Sequence, residues 1–289
     1  QDVWSMTSVA LLNMDRLGAI VEKGKTGETR EHNGTEYTYY GPADLTITEN
    51  ADGTVDYDFD LRDDIKFSDG EPLTADDVIF TMYVLSDPTY DGSSTLYSIP
   101  IKGMDEYRAG MASLMSLLYE AGKDNTDFTY WDEATQTKFW EDLDKAGTAF
   151  AQEIIDYCKA EGLGDTAKAA GEAWGFEGLA DDATATDLFY LMADDYAGDL
   201  NALSSTETAG SSLADLGFDP AEYANGVKTG DSADSITGIQ KTGDYGLKVT
   251  LTEPDATAIY QLSLAIAPMH YYGDPEKYDY DNNKFGFEK

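Results

Sequence analysis

The sequence predicts a mixed α/β protein, and three observations carry that prediction. Apolar residues alternate with polar ones at Val55, Tyr57, Phe59 and Leu61, and strand periodicity returns over residues 247–251, which is the period of a half-buried strand. Phe139, Leu143, Ala146, Phe150, Ile154 and Cys158 recur every three or four residues across 132–160, which lines one face of a helix. Between the two strand regions Thr74 precedes an apolar run, and Asp77 answers it three residues on, as at a capped helix start.

Taken in order, residues 9–21 place Leu11, Leu12, Met14, Leu17, Ile20 and Val21 at spacings of three and four and predict a short buried helix or helix-like turn. A polar loop follows. Residues 44–61 predict a β-hairpin: Leu45-Thr46-Ile47-Thr48, then Asn50-Ala51-Asp52-Gly53, where Asp-Gly tolerates the positive φ of a tight turn, then the alternating strand. Asp56, Asp58 and Asp60 share its solvated outer face. A calcium loop is disfavoured there, because the glycine and distal glutamate of an EF-hand are missing.

Ser68-Asp69-Gly70-Glu71-Pro72 is a second turn, and the helix opened by Thr74 should stop near Asp87-Pro88. From Met104 to about Gly230 the chain is helical and irregular, with shorter helices near 167–173 and 186–192. A Ser-, Gly- and Asp-rich exposed turn region follows over 204–230. Ile236, Ile239 and the turn Thr242-Gly243-Asp244 lead into the second strand region. A helix is expected over about 255–266, then Pro268-Met269-His270-Tyr271 and a tail rich in Tyr, Asp and Asn.

Composition excludes several functions. The 289 residues carry 19 Lys+Arg against 56 Asp+Glu, a net charge of −37. Such a surface repels phosphate backbones and anionic headgroups over the roughly 8 Å that physiological salt leaves unscreened, which argues against nucleic acid as a partner. Twenty Tyr, 11 Phe and 4 Trp supply more core material than a disordered acidic tail carries. No run approaches the ~18 to 20 apolar residues that span a bilayer. The single Cys158 falls in the helical stretch, where a buried inert thiol is expected.

No catalytic constellation is visible. His32 and His270 are the only histidines, and GxSxG, SxxK, HExxH, P-loop, GxGxxG and CxxC are all absent. Asp279-Tyr280-Asp281-Asn282-Asn283 begins like a calcium loop but has Lys284 where glycine is required. Non-enzymatic function, with no cofactor and no metal, is the expectation.

Residues 57–78, YDFDLRDDIKFSDGEPLTADDV, closely resemble the signature of the family 5 extracellular solute-binding proteins, the dipeptide, oligopeptide and nickel receptors of ABC importers. Ile236-Thr237-Gly238-Ile239, Leu247-Lys248-Val249-Thr250-Leu251-Thr252-Glu253-Pro254 and Pro268-Met269-His270 are similar to that family's later strands, turn and P-x-H segment. Ile101-Lys102-Gly103-Met104-Asp105-Glu106-Tyr107 resembles the helix start between them.

The resemblance implies a periplasmic-binding-protein-like type II lobe with a side subdomain and a helical insertion. On that basis residues 1–44 and 265–289 belong to lobe I, 45–110 and 230–264 to the side subdomain, and 111–229 to the insertion; a second, ligand-closing lobe would lie outside the sequence. Closure needs both lobes, so these residues alone are expected to bind ligand weakly or not at all. The implied function is capture of extracellular peptides or a similar small solute for delivery to an ABC permease, by a monomer. The protein would be lipid-anchored at the cell surface or periplasmic, with signal and anchor outside the sequence. The loop after the first strand approaches the ligand in this family, which makes Trp4, Met6 and Thr7 the candidate ligand-binding residues. A cell-surface glycan-binding or protein-interaction module without a transport role is the alternative.

Overall fold

The computed structural model describes residues 7–90 and 96–289. The chain is a mixed α/β protein made of two compact units, one of Gln1–Ala109 with Asp231–Lys289, the other of Gly110–Gly230.

The first unit is built on a four-stranded antiparallel sheet in the order Ala43–Glu49, Val55–Leu61, Gly246–Leu251, Ile239–Gly243. Alternation fixes its register, since Val55, Tyr57, Phe59, Leu61, Leu247, Val249 and Leu251 all bury their side chains. Asp56 and Asp58 point to the other face, where the Thr250 hydroxyl donates to Asp56 at 2.6 Å and Lys248 stands 3.7 Å from it. The helix Ala75–Ser86 contributes Val78, Ile79, Met82 and Tyr83 to the same core and is buried nearly all round. Each such apolar side chain, taken fully out of water, contributes about 1.5–3 kcal/mol.

Gly238 sits where backbones touch. It donates to Lys102 O at 2.6 Å and accepts from Thr250 N at 2.8 Å, and a Cβ there would stand 2.7 Å from both Lys102 O and Thr250 O.

Residues 9–21 are not helical. Val9 and Leu11 pair with the segment 264–266 through Ile266 N to Val9 O and Leu11 N to Leu264 O, both 2.8 Å, and the chain then turns back on itself with Met14 opposite Ile20. The Asp15 carboxylate accepts from Leu17 N and Ala19 N inside that turn. The helical spacing was coincidental: Leu11, Leu12, Ile20 and Val21 are buried while Met14 and Leu17 are exposed.

The polar loop after it is a second hairpin, Glu28–His32 against Thr35–Tyr39, turning at Asn33-Gly34, both with positive φ. Arg30 ties it to the first turn, donating to Asp15 and Ile20 O at 2.6 Å each. The helix expected over 255–266 shrinks to Ala258–Gln261, because residues 264–266 are needed as the extended partner of 9–11.

The second unit packs the 28-residue helix Glu133–Ala160 against Ala167–Trp174 and Ala185–Asp195. Gly147 permits the closest approach, since a Cβ there would lie 2.3 Å from the Phe189 ring. Asp132, Thr166, Thr184 and Asp199 cap helix starts through their side chains. The turn-rich stretch 204–230 is less exposed than its composition predicts. Leu213, Phe218 and Tyr223 enter the core, with Phe218 and Tyr223 stacked beside Phe139. Cys158 is buried, and that burial raises its thiol pKa.

Candidate functional site

The acidic pair at the start of the helix Ala75–Ser86 organises one end of the first unit. Asp77 is buried. Its Oδ2 accepts Thr74 N at 2.9 Å, which caps the helix, and its Oδ1 accepts Met269 N at 3.0 Å. One turn further on, the Thr81 hydroxyl donates to Asp77 O at 2.7 Å and accepts Ala267 N at 3.0 Å. Asp76 takes the opposite side: Tyr278 donates its hydroxyl to Oδ1 at 2.6 Å, and Lys241 Nζ lies 2.8 Å away. Burial, reinforced by the Asp76 carboxylate, pushes the Tyr278 phenol well above its usual range. A helix start that reads as local capping chemistry therefore also holds a segment about 190 residues later in the chain.

That segment presents the exposed aromatic surface. Met269–Tyr272 is a single helical turn after Pro268, and Tyr271 and Tyr272 are 74% and 69% exposed, their rings edge to face at 4.9 Å. His270 beside them bonds Asp69 Oδ2 at 2.7 Å through Nε2, with the Phe67 ring 5.6 Å away. The bond to Asp69 raises the His270 pKa above its ordinary value and lowers that of Asp69.

Thr7 is exposed. It has helical backbone and precedes by two residues the segment 9–11 that pairs with 264–266. Trp4 and Met6 lie outside the described residues.

A cleft of about 350 Å³ opens farther along the tail, lined by Tyr107, Lys277, Phe285, Phe287 and Glu288 among others. Phe285 stacks on Tyr83 at 3.4 Å, and the Lys289 ammonium lies 3.9 Å from the Tyr107 ring centroid. Among the described residues no group of three or more His, Cys, Asp or Glu is placed to hold a metal ion. No helix among them is long and apolar enough to cross a membrane.

The tyrosine pair was not singled out from the sequence. The available signal was two consecutive tyrosines just after a proline and a helical break.

The family model for bacterial extracellular solute-binding proteins, family 5 Middle, matches residues 41–126. The match covers the hairpin, the Asp76-Asp77 pair and the capped helix, and it bears out the resemblance read from residues 57–78. No curated protein and no solved structure matches the chain.

Proposed function

We propose that this chain, which carries at residues 41–126 the segment of a family 5 extracellular solute-binding protein, captures peptides outside the cytoplasm and delivers them to a membrane permease. Solute binding for an ABC importer is the role of that family; peptides as the solute are our reading. The observation that carries it is the Tyr271-Tyr272 pair, large apolar faces with polar tips held exposed on a turn whose backbone is pinned at Ala267 and Met269. Such side chains contact extended peptides over large area at low entropic cost, and a pinned backbone reduces the ordering that binding requires. Trp4, Met6 and Thr7, which precede in sequence the segment paired with 264–266, would border the same ligand. A monomer anchored by a lipid, or free in the periplasm, fits the family's location.

Binding without catalysis is the chemistry we assign to this end of the unit. Among the described residues no nucleophile is bonded to the imidazole of the Asp69–His270 pair, and Asp76 and Asp77 are engaged in structural bonds.

Native mass spectrometry of the full-length protein purified from rich medium tests the reading. Retained peptides in wild type, lost in Y271A/Y272A, are expected. A retained glycan, or no retained peptide after repeated trials with peptide mixtures, would replace it with the surface-recognition alternative.

A further inference from the structure

The helical unit contains an arrangement unrelated to the tyrosine turn. Trp140 lies between two tyrosines from neighbouring helices, with ring centroids 5.7 Å from Tyr119 and 6.4 Å from Tyr190, tilted by 35° and 41°. An ammonium group stands at this row: Lys123 Nζ is 4.5 Å from the Tyr190 centroid and 5.5 Å from that of Trp140.

Carboxylates fix the walls. Asp144 accepts the Tyr190 hydroxyl at 2.5 Å and Lys123 Nζ at 2.6 Å, and Asp194 accepts the Tyr119 hydroxyl at 2.9 Å. Trp140 is only 8% exposed, and its indole N–H is buried with no acceptor among the described residues. Ring faces and a negative wall together make a cation seat.

Its present occupant is poorly matched to it. A primary ammonium is strongly hydrated, donates here to Asp144, and sits on a side chain 45% exposed, in an ion pair of the kind that contributes little. A quaternary ammonium head has no N–H to satisfy and is readily desolvated against ring faces, which is the chemistry that aromatic seats favour. The unit also carries six lysines and no arginine against 24 acidic residues, a field that concentrates small cations.

We propose that Tyr119, Trp140, Tyr190 and Asp144 form a binding site for a trimethylammonium group, with Lys123 as a displaceable stand-in. Swinging Lys123 into solvent opens the seat, and Asp144 then neutralises the incoming charge. Tyr119 and Tyr190 keep their orientation through Asp194 and Asp144.

The test is calorimetric titration of the full chain with tetramethylammonium and choline, in wild type and K123A, with circular dichroism as the check on folding. The expected result is saturable binding that tightens by about tenfold in K123A, as removal of a competing cation requires, and weakens by about tenfold in Y190A. In wild type the Trp140 indole N–H resonance should shift with choline and not with equal sodium chloride, a readout that does not depend on any variant folding. Phosphatidylcholine vesicles form a separate arm. Co-sedimentation without binding of free choline would assign the trimethylammonium group to a lipid, and binding of free choline would assign it to a small solute. No saturable binding in any arm, binding unchanged in Y190A, or an indole shift that sodium chloride reproduces would each overturn the proposal.

Discussion

Replacing Asp77 by alanine should release the aromatic turn without dismantling the sheet beneath it. The carboxylate accepts two backbone amides, Thr74 N at 2.9 Å and Met269 N at 3.0 Å, from a position only 5% exposed. Loss of the Asp77 arm of the capping box, with Thr74 still at the N-cap, costs about 0.5–1 kcal/mol. Hydrogen bonds to a charged acceptor contribute about 1.5–3 kcal/mol, and the Met269 amide loses its bond to Asp77. The combined effect is about 2–4 kcal/mol. For Met269 itself, a local opening made easier by about 2 kcal/mol means roughly thirtyfold faster amide exchange at fixed pH. Amide exchange followed by NMR on wild type, D77A and D76A separates anchoring from general weakening. D76A frees the side chains of Tyr278 and Lys241 but no backbone amide of the turn, so Met269 should exchange there near the wild-type rate. Met269 protection within threefold of wild type in D77A, or equal losses in D77A and D76A, would refute the anchoring argument.

Two further outcomes follow from the geometry. Gly238→Ala puts a methyl 2.7 Å from two carbonyl oxygens and should cost about 1–3 kcal/mol, visible as a lower urea midpoint for the first unit; a midpoint unchanged from wild type would mean that the strands part freely there. The His270 imidazole should titrate above 6.5 by NMR and return toward that value in Asp69→Asn. Because the folded pKa is the higher one, the pair's stabilisation is fully present below the unfolded value and is lost as pH rises through the folded value. A His270 pKa at or below 6.5 in wild type would contradict the bond to Asp69.

The sequence made some elements readable because a single physical cause fixed each. Period two set the Val55–Leu61 strand, Asp52-Gly53 set its turn, and the core stripe of Glu133–Ala160 set the long helix. Residues 9–21 were misread because a buried strand pair joined by a tight turn happens to space its apolar residues by three and four. Only the partner at 264–266, about 250 residues away, distinguishes the two possibilities. The Glu28–His32 hairpin escaped because its strands are polar on both faces, although Asn33-Gly34 was a usable turn signal.

The site was harder to read. Asp76 and Asp77 look like helix-capping residues, and their grip on Met269 and Tyr278 is a tertiary fact with no local signature. The acid excess is easier to understand once the structure is seen. Asp132, Asp187, Asp199, Asp219 and Asp274 serve helix starts and turns, where each carboxylate accepts a backbone amide.

The most direct measurement is calorimetric titration of the full-length protein with short peptides, in wild type and in Y271A/Y272A. Saturable binding is expected in wild type and at least about tenfold weaker binding in the variant, as loss of two aromatic contacts requires. Wild type that binds no peptide, or a variant that binds as tightly as wild type, would contradict the proposed function.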